Sequence, residues 1–191
     1  KVYRDANIDH INVNYTYEAA NSANVHFRGN VGAIMVIQLI LALGSEEQKA
    51  VFLPHLNSGK WVSAYVQTEV AHGSDVEGIQ TAAVFDEAKQ DFVVNTLGKE
   101  GMKWWPGDLA VNATHIILIA RLISKGKDFG PQVFFFQIRD VPTHKLLPGI
   151  ETGDIGPKLG YNSKDNGFAT FKEFRIPKIS LLSKYININS D

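Results

Sequence analysis

Apolar positions change period near residue 60. Before it, Arg28 to Leu43 is apolar at helical spacing, through Val31, Ile34, Met35, Ile37, Leu39 and Leu41, and Gly44 follows as a stop. Ser45 with Gln48 has the form of a capping box opening a second helix, whose buried face is expected from Ala50, Val51, Leu53 and Leu56. Asn57-Ser58-Gly59 ends it, and Pro54 should shorten or kink it. After residue 60 the pattern is that of strands. Val62 to Thr68 is one; Thr81 to Phe85 and Asp91 to Asn95 flank a polar turn and read as a hairpin. His115 to Ile123 and Val133 to Ile138 are continuously apolar, as strands covered on both faces are. Phe168 to Phe174 alternates and reads as one half-exposed strand, and Pro177 closes the set.

The pattern predicts an α+β chain: helices followed by an antiparallel β-barrel or sandwich. It divides into a helical segment over 1–60, a β-domain over 61–180 and, from Leu181 to Tyr185, the entry to a further helix within a linker at 181–191. No repeat or low-complexity stretch interrupts it.

Composition narrows the chemistry. The formal net charge of −1 gives no basic field for nucleic acid. Without cysteine there are no disulfides, thiolate metal sites or cysteine nucleophiles. The run from Val31 to Leu43 is too short to span a bilayer. The chain begins at Lys1 with no signal-peptide pattern and ends in Asn189-Ser190-Asp191, so a piece of a longer product is expected. The six histidines, at 10, 26, 55, 72, 115 and 144, lack metal-ligand spacing and suit structural or surface roles, so no metal is expected. Ser63, Ser74 and Ser163 sit in no nucleophile elbow. Gly153 to Gly160 is a shaped loop, because Pro157 removes an amide that a phosphate loop would use.

Two elements remain. Lys103-Trp104-Trp105-Pro106-Gly107 pairs two tryptophans before residues that oppose a central strand. Either both indoles fill a core, as large aromatics mostly do, or Trp105 is presented from a turn toward a flat partner. Tyr65-Val66-Gln67-Thr68-Glu69 then His72-Gly73-Ser74-Asp75 places a hydroxyl and backbone amides at a strand mouth. Such donors suit the electron-rich edge of a reduced flavin, and equally an ordinary strand-end threonine followed by an Asx or Ser turn.

Taken in order with Thr114-His115, Leu147-Pro148-Gly149-Ile150, Gly153-Asp154-Ile155-Gly156-Pro157-Lys158, Asp165-Asn166-Gly167 and Arg175-Ile176-Pro177, these motifs resemble the peroxisomal acyl-CoA oxidases and, more distantly, the acyl-CoA dehydrogenases. The resemblance implies the end of an N-terminal helical domain and a middle β-domain that binds FAD and fatty acyl-CoA, with a C-terminal helical bundle beyond. It implies α,β-dehydrogenation to a trans-2-enoyl-CoA, reoxidation by O2 with release of hydrogen peroxide, a homodimer and a peroxisomal location. Thr68, Gln67, Trp105 and Gly107 take the family's flavin-binding positions, and Ser74 that of a serine contacting acyl-CoA. The glutamate base belongs to the family's C-terminal helical region, so no catalytic residue is assigned here; Glu69 does not take its place. Val70-Ala71 and Asp108 depart from the family pattern, and a carboxylate at 108 would disfavour a reduced flavin unless it faced solvent. The competing expectations are a dehydrogenase that passes electrons to a flavoprotein carrier and a non-catalytic FAD/acyl-CoA-binding module.

Overall fold

A computed structural model describes residues 31–162, 164–186 and 188. The expectations for residues 1–30, among them the start of the first helix and His10 and His26, lie outside these, as does Ser163.

Helix α1, Val31–Leu43, stops where the sequence says it should. A Cβ at Gly44 would lie 2.5 Å from the Ile40 carbonyl oxygen, so only glycine lets the chain turn here. Helix α2, Glu46–Asn57, opens on the reciprocal Ser45 and Gln48 capping bonds. Its buried stripe is Gln48, Phe52 and Leu56. Ala50 and Val51 face solvent, contrary to expectation, because the i, i+4, i+8 row beginning at the cap is the one that meets the sheet. Phe52 lies 4.8 Å from the Phe135 ring across that seam. The helix also runs through Pro54 to Asn57. The carbonyl robbed of its donor belongs to exposed Ala50, where water can replace it.

The larger sheet has the order β1-β5-β2-β3-β9, with β6 on the other edge of β5. Its strands are β1 Ser63–Val66, β2 Ala82–Asp86, β3 Asp91–Asn95, β5 His115–Ser124, β6 Lys127–Gln137 and β9 Phe174–Pro177. The β2–β3 hairpin is as read from sequence. The strands are mostly antiparallel, with a correction: β1 and β2 both run parallel to β5, sharing one of its edges end to end. That double pairing explains why β5 is apolar along most of its length.

The smaller sheet is β4-β8-β7, built from Lys103–Gly107, Asn166–Phe171 and Ile150–Asp154. Lys103–Gly107 is therefore an edge strand, where a turn was expected. Proline and glycine fit because the ladder is broken by a bulge: Trp104 pairs with Phe168 and Gly107 with Asn166, leaving one residue too many on β4. The expected strand over 168–174 is two. The chain turns at Lys172 and Glu173 (φ 48° at Glu173) and crosses from the small sheet into the large one. Leu181 to Tyr185 forms no helix; Leu181 bridges Phe134, and Gln48 donates to the Ile179 and Leu181 carbonyls at 2.8 and 2.6 Å.

Phe92, Phe134, Phe136, Phe171 and Phe174 fill the core within the β-region. A second cluster lies between helices and sheet, where Trp61 stacks on His115 at 4.0 Å and meets His55 at 4.3 Å. Burial, reinforced by His55, pushes the His115 imidazole down to about 3, so it is a neutral packing group.

Candidate functional site

The strand-end motif and the tryptophan motif are brought side by side. The Trp104 amide donates to the Thr68 carbonyl at 2.9 Å, and Val70 donates to the Met102 carbonyl at 3.0 Å. Thr68 thus lies against β4 just beyond the end of β1, half-buried.

The bulge divides the two tryptophans. Trp104 stacks on Phe168 at 6.0 Å and is packing. Trp105 has a φ of 85° and is 53% exposed. A positive φ on a bulky residue is unfavourable, and here it is held by the ladder on either side and by Asn166 donating to the Trp105 carbonyl at 2.6 Å. The result is an indole turned outward from an otherwise regular edge. It borders a cavity of about 420 Å³ lined also by Met35, Tyr65, Gly107, Tyr161, Asn166 and the lysines Lys158 and Lys164.

Gly107 is hemmed in: a Cβ there would come 2.6 Å from the Lys164 side chain. That lysine reaches past it to Asp108 Oδ2 at 2.6 Å. Asp108 is buried and paired, so the departure at 108 brings its own counter-charge. The next turn, 109–113, is gripped from both sides. Asp165 accepts the amides of Ala110, Val111 and Asn112 at 3.0, 2.8 and 3.1 Å. Arg139, buried, donates to the carbonyls of Ala113 and Ala110 at 2.6 Å each. Desolvation lowers this guanidinium from its ordinary value, opposed by Asp165.

Sequence reasoning missed a buried ion pair behind the wall. Lys103 Nζ lies 3.1 Å from Glu69 Oε1, both side chains wholly buried. Glu69 also accepts the amides of Gln80 and Thr81 at 2.8 and 2.9 Å, and His72 Nδ1 lies 3.0 Å from it. Burial pushes the Glu69 carboxyl up, but Lys103 and those amides outweigh it and hold it below the usual range. Burial pulls Lys103 down to about 8, with Glu69 opposing. The signal was present: a lysine in register with buried positions of an apolar strand needs an anion.

Of the residues singled out from sequence, Trp105 and Gly107 share the cavity. Thr68 and Gln67 do not line it: the Gln67 side chain accepts the hydroxyl of the lining residue Tyr65 and its carbonyl accepts Lys103 Nζ at 2.8 Å, while Thr68 is joined to β4 at Trp104. Ser74 sits apart, exposed on the loop 70–80. Among the described residues no cluster of side chains has the makings of a metal site, and no helix is long and apolar enough to cross a membrane.

Residues 64–174 match the family described as acyl-CoA dehydrogenase, middle domain. The chain is 40% identical over 158 residues to acyl-coenzyme A oxidase acox-1.1 of Caenorhabditis elegans, covering 83% of this chain and 23% of that protein. It is 40% identical over 157 residues to human peroxisomal acyl-coenzyme A oxidase 1, covering 82% and 24%. Among solved structures, acyl-CoA oxidase-1 of C. elegans complexed with FAD and ATP superposes with a TM-score of 0.79 at 40% identity, over 81% of this chain and 23% of that one. Acyl-CoA oxidase-2 of the same organism, bound with FAD, ascaroside-CoA and ATP, gives 0.85 at 32% identity, over 96% and 28%. The chain thus spans about a quarter of the length of these relatives.

Proposed function

Because the chain belongs to the acyl-CoA dehydrogenase family through its middle domain, we propose that it forms the flavin- and acyl-CoA-binding part of an acyl-CoA oxidase. On this reading 1–60 closes an N-terminal helical domain, 61–180 is the middle domain and 181–191 leads toward a C-terminal helical one. The observation that carries it is Trp105, an exposed indole held at an unfavourable backbone angle on the edge of a cavity.

The residues present fit FAD. A flat apolar ring needs an aromatic or aliphatic wall with a few fixed polar groups, and the cavity offers Trp105, Tyr65 and Met35 with Asn166 and two lysines. Thr68 and Gln67, at the end of the strand that carries Tyr65, would add polar groups to that wall once the ring is in place. When bound, FAD supplies the hydride acceptor and passes the electrons to O2, yielding hydrogen peroxide. The contribution of this chain is to bind, orient and exclude water. Trp105 would offer its indole to the ring, the Gly107 backbone would serve as part of the wall, and Ser74 on its exposed loop would contact the acyl-CoA. Lys164 neutralises Asp108, so the carboxylate next to Gly107 imposes no net negative charge on the site.

The α-proton of the substrate needs a base. Glu69 is excluded, since its oxygens are taken by two amides, Lys103 and His72. The base is then a glutamate of the C-terminal helical region of a longer protein, as the resemblance implies, with fatty acyl-CoA and O2 as substrates and a homodimer as the working unit. The peroxisomal relatives support a peroxisomal location.

The test is peroxide release under air from the gene's full product supplied with saturated acyl-CoA. Stoichiometric peroxide and enoyl-CoA are expected. Acyl-CoA oxidation that requires an artificial electron carrier and makes no peroxide would assign the protein to the dehydrogenases instead.

A further inference from the structure

Lys103 and Glu69 lie behind the cavity wall without lining it. All three protons of the Lys103 ammonium are directed: to Glu69 Oε1 at 3.1 Å, to the Gln67 carbonyl at 2.8 Å and to the Ile119 carbonyl at 2.7 Å. Glu69 in turn grips the far end of the loop 70–80 through the Gln80 and Thr81 amides, while its own backbone bridges Lys103. Thr81 Oγ1 adds a bond to the Gly101 carbonyl at 2.9 Å. The near end of the loop that carries Ser74 is therefore bridged to the strand that carries Trp105 and Gly107, and the far end is tied to it through the Glu69–Lys103 pair and to Gly101 just ahead of it.

We propose that Glu69 and Lys103 are positioning residues that fix the Ser74 loop at a set offset from the Trp105 wall, so that the acyl-CoA-binding and flavin-binding elements assemble as one unit. The inference rests on the functional reading of Trp105 and Ser74 given above. A buried ion pair that served stability alone could be exchanged for apolar side chains of similar volume. Here the pair's other partners are two loop-end amides and two carbonyls of separate strands, which an apolar side chain would leave unsatisfied. The geometry of the offset is carried by those bonds.

The test uses the gene's full product and the variants Lys103→Met and Glu69→Gln, all measured at a temperature well below each variant's melting midpoint. Three quantities are read: the FAD dissociation constant, KM against kcat for acyl-CoA, and the rate of cleavage after exposed Glu77 by a glutamate-specific protease in the flavin-free protein. Misplacement predicts, for folded variants, flavin binding weaker by about tenfold or more, KM raised more than kcat is lowered, and cleavage at Glu77 faster by about tenfold. Folded variants with unchanged flavin affinity and unchanged cleavage would overturn the proposal. Hydrogen exchange in the unmutated protein decides the matter without any variant. The amides of Val70, Gln80, Thr81 and Trp104 should share one opening free energy and gain protection together on adding FAD. Loop amides that open while Trp104 stays protected would sink it. If the unmutated protein takes up no FAD, the functional reading fails, and the shared opening free energy still reports whether loop and strand are coupled.

Discussion

Trp61 and Trp105 show what two surroundings make of one side chain. Trp61 lies in the seam between the helices and the larger sheet, stacked on His115 with His55 tilted against it. It is held by what it touches. Trp105 stands on the bulge of the smaller sheet, half exposed, and is held by the backbone around it against its own conformational preference. The seam uses polar-looking residues for packing; the bulge spends stability to aim a hydrophobic one outward. Residue type alone does not separate the two roles, whereas backbone strain combined with exposure does.

The comparison breaks if acid leaves the seam intact. Folded His115 stays neutral down to about pH 3, while the unfolded imidazole takes a proton near the ordinary value of 6.5. Between these values the unfolded chain binds the extra proton, so stability falls as pH falls through that window, by on the order of 4 kcal/mol in all. Glu69, whose carboxyl is held below 4.5, adds a loss only under that value. Denaturant midpoints at pH 7, 6 and 5 measure the His115 part, and His115→Phe should flatten the slope.

Next in size is Trp61→Ala, which strips a large, partly buried ring from the seam and should cost about 3 kcal/mol in urea unfolding. Flavin affinity measured in the folded variant should not move. Gln48→Ala, at the margin of the same seam, removes the capping box and the tie to residues 179–183, for a loss of about 2 kcal/mol. The smallest effect on stability sharpens the contrast most. Trp105→Gly relieves a positive φ and deletes an exposed ring, so stability should hold or rise by about 1 kcal/mol while flavin affinity falls. A loss of several kcal/mol with unchanged affinity would make Trp105 a second Trp61.

Local chemistry was legible in the sequence. The Ser45 and Gln48 cap, the stop at Gly44, the 82–86 and 91–95 hairpin and the apolar run of β5 each depend on residues close together in the chain. What escaped depends on distant partners. Lys103–Gly107 is a strand only because β8, some 60 residues later, supplies the ladder and tolerates the bulge. Phe168 to Phe174 keeps its alternation across a corner, and nothing in the pattern marks where one sheet gives way to the other. The parallel partners of β5 were invisible for the same reason. At the site, Trp105 and Gly107 could be named as neighbours in sequence, but the pairing of Glu69 with Lys103 joins two segments that only the fold brings together.

The long-range pairings of β1 with β5 and of β4 with β8 have a kinetic consequence. The β2–β3 and β5–β6 hairpins close over short spans and can form early. Joining β1 to β5 closes a loop of about 50 residues, and joining β4 to β8 one of about 60, at an entropic cost that nothing repays until contact is made. The nucleus of folding should therefore be the two hairpins, with the strand mouth at Thr68 and the Trp105 bulge acquired last. In stopped-flow refolding, substitutions at the hairpins should slow the folding limb, while those around Trp105 should change only the rate of unfolding. The face proposed to meet the flavin would then be the last to arrive during folding and the first to leave.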